Sequence, residues 1–151
     1  LMRLMDRSKP VTEVEHEAWF DGLGRRTDCA YFAVETPAPC PTGSGPRIPQ
    51  HVGHVGLWAI DTRHRRAELR IVIGENEARG QGLGVEAIDR LCRHAFDHLD
   101  LHRIYAYVLT LNPLAQRAFE RAGFVVEGTL RADRWTVDRF VDAVLLALLK
   151  G

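Results

Sequence analysis

Three glycines and an arginine form a short run in the middle of the chain, Arg79-Gly80-Gln81-Gly82-Leu83-Gly84. A strand-like apolar segment ending at Ile73 precedes the run, and an amphipathic helical pattern follows it. Glycines let a backbone approach a ligand without Cβ clashes, and the N–H groups of a helix's first turn attract anions. Arg79 can add a charge-assisted bond to a phosphate. The run therefore predicts a pyrophosphate site.

Two other nucleotide-binding loops and a plain turn are alternatives for this run. A P-loop requires Gly-x-x-x-x-Gly-Lys-Ser/Thr, a string that the sequence does not contain. The dinucleotide fingerprint requires Gly-x-Gly-x-x-Gly, whereas the spacing here is Gly-x-Gly-x-Gly. On the glycines alone, a glycine-rich connection without a ligand stays open.

Hydrophobic periodicity and capping signals predict the elements that position the run. Helices are predicted over about residues 11–22, 82–99 and 113–121, and strands over residues 29–35, 51–61, 67–73, 102–110, 124–137 and 140–149. Residues 36–50 hold five prolines and predict a loop. This order is typical of an α/β fold, with a mixed sheet and helices on its faces.

Composition narrows the class of protein. The 151 residues carry 20 basic and 20 acidic side chains, and this balance does not favour a nucleic-acid partner. The longest apolar stretches fall short of the about 18 residues that a membrane span requires, so no membrane partner is predicted. Three cysteines without a Cys-x-x-Cys pair predict free thiols, a reducing compartment and a cytoplasmic location.

Segments further along the chain give the glycine run a specific meaning. The run resembles the Arg/Gln-x-x-Gly-x-Gly/Ala coenzyme A signature of the GNAT acetyltransferase superfamily. Asn112-Pro113-Leu114-Ala115, leading to Phe119-Glu120-Arg121-Ala122-Gly123-Phe124, is similar to that superfamily's second helix block. Together with Glu127-Gly128-Thr129-Leu130-Arg131 and Asp142, these segments resemble the RimJ/RimL-type (ribosomal-protein-acetyltransferase-like) branch over about residues 11–150.

The resemblance implies a GNAT fold. This is an α/β fold whose mixed, mostly antiparallel sheet carries helices on both faces and a central V-shaped splay between two strands. We expect a single domain over residues 1–151, without the strand and helix with which the family normally begins. The family often dimerises, so a homodimer is an expected partner arrangement.

The resemblance also implies an activity and a set of contacts. The activity is N-acetyl transfer from acetyl-CoA to a primary amine, either a peptide N-terminus, a polyamine, an amino sugar or an antibiotic. The pyrophosphate is expected on the backbone amides of Gln81, Gly82, Leu83 and Gly84, with Arg79 and Gly80 shaping the turn. The rest of the coenzyme is expected against Ile71, Val72, Ile73, Asn112, Ala115 and Phe119.

Proton transfer is the part of this chemistry that the sequence leaves open. Glu68 is the predicted base, and a surface carboxylate paired with a neighbouring arginine is the alternative for it. Many relatives carry a tyrosine acid where this chain has Phe119, which has no proton to donate. Water, Tyr105, Tyr107 or an unassisted thiolate could substitute. A GNAT-fold module that binds coenzyme A without turnover is therefore the second hypothesis.

Histidines and tryptophans offer weaker candidates. His94 and His98 share one helix face at a spacing that suits a metal, but no third ligand is recognisable, so no metal is predicted. Trp58 and Trp135 could line an acceptor pocket. We expect both in the core instead, since an aromatic side chain on a strand usually packs there.

Overall fold

A computed structural model describes residues 12–38, 48–74 and 82–151. The elements in chain order are α1 (Glu13–Leu23), β1 (Ala30–Ala38), β2 (Ile48–Asp61), β3 (Arg66–Ile73), α2 (Leu83–Asp97), β4 (Arg103–Leu109), α3 (Pro113–Arg121), β5 (Val125–Trp135) and β6 (Phe140–Leu149). Their types and order agree with the predicted ones.

The six strands form one sheet in the order β1-β2-β3-β4-β6-β5. Every neighbouring pair is antiparallel except β3 and β4, which run parallel. A parallel pair needs a crossover, and α2 supplies it between β3 and β4. The sheet is therefore mixed and mostly antiparallel, which confirms the predicted fold class.

The core lies between one face of this sheet and helices α2 and α3. On α2 the buried side chains recur at helical spacing, at Ile88, Leu91, Cys92 and Ala95. They pack against alternate residues of the central strands, among them Leu57, Leu69, Ile104 and Leu146. Burial raises the pKa of the Cys92 thiol to about 12, so this thiol stays protonated and belongs to the core.

Cys29 and Cys92 are free thiols, in agreement with the prediction, while Cys40 lies outside the described residues. Within the described ranges, no helix is both long enough and apolar enough to cross a membrane.

The connection between β1 and β2 differs from the prediction. The loop expected over residues 36–50 is wrong at both ends, because Thr36 pairs with Gln50 and Pro37 with Pro49 in an antiparallel ladder. Pro37 lies on the edge strand of the sheet, and Pro49 precedes the part of β2 that pairs with β3. Proline is tolerated where a neighbouring strand does not need its missing N–H. Residues 39–47 lie outside the described ranges.

Truncation of a core leucine tests this packing. The Leu57→Ala variant should lose about 2–5 kcal/mol of unfolding free energy, since the Leu57 side chain is fully buried beneath α2. Leu149→Ala is the matched control, because Leu149 is exposed at the end of β6 and its truncation should have a small effect. Chemical denaturation followed by circular dichroism measures both, and equal losses would contradict the described core.

Candidate active site

The central feature of the sheet is a splay between its two parallel strands. β3 and β4 pair over only three positions, from Arg66 opposite Arg103 to Glu68 opposite Tyr105. β3 then continues to Ile73 and β4 to Leu109 without further pairing between them. This is the V-shaped splay that the predicted fold class contains.

A cleft of about 530 Å³ occupies the splay. It is lined by Trp19, Arg26, Tyr31, His54, Trp58, Glu68, Leu69, Arg70, Ile71, Val72, Tyr107, Val108, Leu109, Asn112, Ala115, Phe119 and Arg134. The cleft therefore brings five sequence-predicted residues of the coenzyme site, Ile71, Val72, Asn112, Ala115 and Phe119, together with the predicted base.

Backbone polar groups face the gap between the two strands. The N–H of Gly74 donates to the Val52 carbonyl at 2.9 Å, and that of Thr110 donates to the Asp142 carbonyl at 3.0 Å. Because donors and acceptors alternate along a strand, the groups of Ile71 on β3 and Tyr107 on β4 point the other way. Each points towards the opposite arm of the splay, where an extended ligand could bond to it.

Glu68 lies where the splay begins, and its side chain is only 13% exposed. It faces Trp58 across the β2–β3 ladder and Tyr105 across the β3–β4 pair. Both of its carboxylate oxygens accept bonds from Arg70, at 2.8 and 3.0 Å. The ion pair with a neighbouring arginine is therefore present, and the carboxylate also lines the cleft, while its role as the base stays a prediction.

The two tyrosines offered as acids occupy different places. Tyr107 lines the cleft, and the Arg134 guanidinium lies over its ring, 5.0 Å from the centroid. Tyr105 packs edge-on against Tyr107 at 5.8 Å but is not among the lining residues. Burial raises the pKa of Tyr105, and the nearby Glu68 carboxylate adds to the rise. Only Tyr107 therefore has direct access to a ligand in the cleft.

The start of α3 forms one wall of the cleft. The Asn112 side-chain oxygen caps the helix by accepting a bond from the Ala115 N–H at 3.1 Å, and Pro113 occupies the first helical turn. Phe119 is buried and packs edge-on against Phe124, with ring centroids 5.0 Å apart. At Phe119 the wall is apolar and has no hydroxyl group.

The start of α2 is described only in part. Gly82 is its N-cap, with a φ of 83° that favours glycine, and no side chain caps the helix there. Within the part of the chain that the structure describes, the N-cap thus supplies no side-chain acceptor to the amides of this first turn, as suits an anion site. Arg79, Gly80 and Gln81 lie outside the described residues.

Four predicted coenzyme contacts are not among the residues that line the cleft, namely Ile73, Gly82, Leu83 and Gly84. Leu83 instead lines a second cavity of about 470 Å³ between β1 and α2. The cleft thus gathers five of the six residues predicted to contact the rest of the coenzyme, whereas the described part of the glycine run, Gly82 to Gly84, does not line it.

An aromatic cluster on the α1 side of the sheet is the part of the site that sequence reasoning missed. The Trp19 ring stacks on Trp58 at 6.4 Å, and Tyr31 meets both indoles edge-on at 5.1 and 5.7 Å. Gly56 makes room for Tyr31, because a Cβ there would lie 2.5 Å from its ring. Gly56 was the sequence signal for this cluster, but only the β1–β2 register shows that it lies opposite Tyr31.

Neither tryptophan lies where we expected it. Trp58 lines the cleft, so the core placement is wrong for it, and its indole nitrogen is buried without a hydrogen-bond partner in the described structure. Trp135 is 49% exposed and packs on Phe140 near the hairpin end, so the core placement is wrong there too. Both errors arise because the alternation of a strand does not tell which of its faces is covered.

Two β-bulges lie next to residues whose side chains line the cleft, Trp58 and Arg134. β2 shifts register between Trp58 and Asp61, where Ala59 has a φ of 49°. β5 shifts register before Arg134, where Ala132 has a φ of 49° and its N–H donates to the Asp142 carboxylate at 2.8 Å. Bulges of this kind redirect side chains, and here they precede or follow residues of the cleft.

His94 and His98 stack at 5.0 Å on α2. In residues 12–38, 48–74 and 82–151, no cluster of three or more His, Cys, Asp or Glu side chains is arranged to hold a metal ion.

Comparison with known proteins places the cleft in a family context. The family model described as an acetyltransferase (GNAT) domain matches residues 1–125. Spermidine N(1)-acetyltransferase of Vibrio cholerae is 35% identical over 100 residues, which cover 66% of this chain and 57% of that protein. The putative ribosomal N-acetyltransferase YdaF of Bacillus subtilis is 31% identical over 98 residues, covering 65% and 53%. The chain thus spans little more than half the length of these relatives.

A solved structure agrees with these matches. It is that of spermidine N-acetyltransferase from Vibrio cholerae in complex with CoA and spermine. It superposes with a TM-score of 0.83 at 28% sequence identity and covers 98% of this chain and 81% of its own.

Proposed function

Since the chain belongs to the GNAT acetyltransferase family, we propose that it transfers an acetyl group from acetyl-CoA to a primary amine. The observation that carries this proposal is the cleft between β3 and β4, with backbone groups of Ile71 and Tyr107 facing it and Glu68 at its closed end. An extended pantetheine arm fits such a gap as an added strand between two diverging ones.

The coenzyme contacts follow from this placement. Ile71, Val72, Asn112, Ala115 and Phe119 bind the pantetheine arm in the cleft. The pyrophosphate lies at the start of α2, on the amides of Gln81, Gly82, Leu83 and Gly84 with Arg79 and Gly80 beside them. Support for this second part comes from the helix start at Gly82, which has no side-chain cap.

The proposed reaction is a direct transfer. The neutral amine attacks the thioester carbonyl, the carbon–nitrogen bond forms, and the carbon–sulfur bond breaks with the electron pair leaving on sulfur. Glu68 accepts the amine's proton, and its two bonds to Arg70 hold the carboxylate in position. A backbone N–H of the splayed strand, that of Ile71, stabilises the oxyanion.

The leaving thiolate needs one proton. Phe119 cannot supply it, and Tyr107 is the candidate acid that lines the cleft. Its ring lies beneath the Arg134 guanidinium, a cation–π contact that fixes the position of the ring at the cleft. We therefore assign the acid role to Tyr107 rather than to Tyr105.

Finer assignments of this function remain predictions. The names of the relatives favour polyamines and ribosomal-protein N-termini as first acceptors to test, and only the second supports the RimJ/RimL-type branch. The cytoplasmic location and the homodimer are likewise predictions from the sequence and from the family resemblance.

A coenzyme-binding module without turnover is the second candidate, and the hydroxyl-free wall at Phe119 favours it. The two candidates share the coenzyme site and differ only in the acetylated product.

Release of free thiol from acetyl-CoA in the presence of peptide N-termini, polyamines, amino sugars and aminoglycosides tests the proposal. We expect release with at least one amine, and the Glu68→Gln variant should lower kcat about 100-fold or more because the base is lost. Asp89→Asn is the matched control, since the Asp89 carboxylate also pairs with an arginine but lies on α2 outside the cleft. Acetyl-CoA binding without product from any amine would favour the binding module instead.

Two variants separate the helix-capping role of Asn112 from its proposed role in binding the coenzyme. Asn112→Asp keeps a capping oxygen and removes the amide donor, so folding stability should hold while the acetyl-CoA dissociation constant rises. Asn112→Ala removes both and should also cost about 1 kcal/mol of unfolding free energy. Titration calorimetry and denaturation measure the two effects, and unchanged affinity in Asn112→Asp would exclude Asn112 from the coenzyme site.

A further inference from the structure

The α1 side of the cleft is rich in hydrogen-bond donors and poor in acceptors. The guanidinium groups of Arg26 and Arg70 line the cleft beside Trp58, which stacks on Trp19 of α1, and a third lining guanidinium, that of Arg134, lies over Tyr107. Among the described lining residues the only carboxylate is that of Glu68, and Arg70 already binds both of its oxygens. Arg26 and Arg134 are also ion-paired, with Asp28 and Asp133, but neither of these aspartates lines the cleft. A ligand in the cleft therefore contacts more N–H donors than carboxylates.

Two of the guanidiniums converge on one indole. The Arg26 and Arg70 guanidinium carbons lie 5.0 and 5.3 Å from the centroid of the Trp58 ring. The Trp58 indole N–H is buried and has no acceptor in the described structure, although a buried donor normally finds one. Both guanidiniums thus lie beside the ring that pairs across the β2–β3 ladder with the proposed base.

Arg26 has more N–H donors than its ion pair with Asp28 uses. Its Nε and Nη2 atoms bind the two Asp28 oxygens at 2.9 and 2.7 Å. This bond lowers the pKa of the Asp28 carboxyl, so both partners stay charged and Arg26 is held in place. A guanidinium has five N–H groups in a planar fork, and the two bonds to Asp28 leave others to face the cleft.

We infer that the amine acceptor carries an anionic group, a carboxylate or a phosphate, that binds beside Trp58 between Arg26 and Arg70. This inference rests on the proposed acetyl transfer and names the class of its acceptor. Planar guanidiniums are suited to oxyanions, which they bind through paired N–H donors. A second ammonium group, as in a polyamine, would instead face two guanidinium cations, whose like charge opposes its binding.

The same contacts set the spacing within the acceptor. Arg70 contacts both the Trp58 ring and the Glu68 carboxylate, so the anion site adjoins the position where the amine loses its proton. The amine and the anionic group are therefore a few bonds apart, in a small molecule or at one end of a larger one.

Calorimetric titration of the coenzyme A complex with matched amines tests this inference. O-Phosphoethanolamine is compared with ethanolamine, and 4-aminobutyrate with 1,4-diaminobutane. At least one anionic member should bind about tenfold tighter than its partner, because charge-assisted hydrogen bonds add to its affinity. Preference for the phosphate, the carboxylate or both identifies the group, and each of these results supports the inference.

Variants make the test specific to the site. Arg26→Gln should abolish the preference for the anionic amine, whereas Arg90→Gln should retain it, because Arg90 pairs with Glu86 on α2 and does not line this cleft. Thermal melting checks that both variants fold. In the parent protein the preference should also fall as ionic strength rises.

Equal binding of both members of each pair, or tighter binding of ethanolamine and 1,4-diaminobutane, would overturn the inference. Because this measurement needs no turnover, it is independent of the thiol-release assay. Thiol release with polyamines alone would leave the acetyltransferase proposal standing and refute the anionic acceptor. Anion preference without any thiol release would refute the acetyltransferase and keep the anion site.

Discussion

The site depends on one interruption in the hydrogen-bond ladder of the sheet. β3 and β4 share three paired positions and then diverge, so backbone groups in the middle of a sheet face a gap. Buried peptide groups are costly unless they are bonded, and a sheet interior normally satisfies them strand by strand. An extended ligand that carries its own amides is the natural partner for such a gap.

The rest of the fold holds the two arms of the splay apart. β2 pairs with β3 from Gly53 opposite Ile73 to Trp58 opposite Glu68. β6 pairs with β4 from Arg103 to Leu109, so each arm is fixed from its outer side. α3 begins at Asn112 directly beyond the β4 arm and closes one wall. Helix packing on the opposite face buries the alternate side chains of the same strands. The gap therefore lies within a rigid frame.

The ion pairs around this gap place the guanidiniums of Arg26 and Arg70 on the lining of the cleft, but only one of their two carboxylate partners. Glu68 is held by Arg70, while Arg26 is held by Asp28, which is not among the cleft-lining residues. The carboxylate best placed to accept a proton is thus oriented by a cation that also contacts Trp58. Base and acceptor recognition are linked through one guanidinium.

Local sequence patterns predicted the elements better than the site. The α2 stripe, the Asn112-Pro113 helix start and the succession of helices and strands along the chain follow from periodicity and capping, which depend on neighbours a few residues apart. Tyr31 and Arg134 reach the cleft through strand register and a bulge, which depend on residues far apart in the chain, and Arg26 reaches it from the connection between α1 and β1. The core placement predicted for Trp58 and Trp135 was wrong for the same reason. The residue types of the glycine run predicted a pyrophosphate site, but Arg79, Gly80 and Gln81 lie outside the described residues.

Amide hydrogen exchange with and without coenzyme A tests the central claim most directly. If the pantetheine arm occupies the splay as an added strand, the amides of Ile71 and Tyr107 should exchange more slowly in the complex. The amide of Ile104, which lies in the paired part of β4, should change little. Coenzyme binding that leaves the Ile71 and Tyr107 amides unchanged would contradict the account.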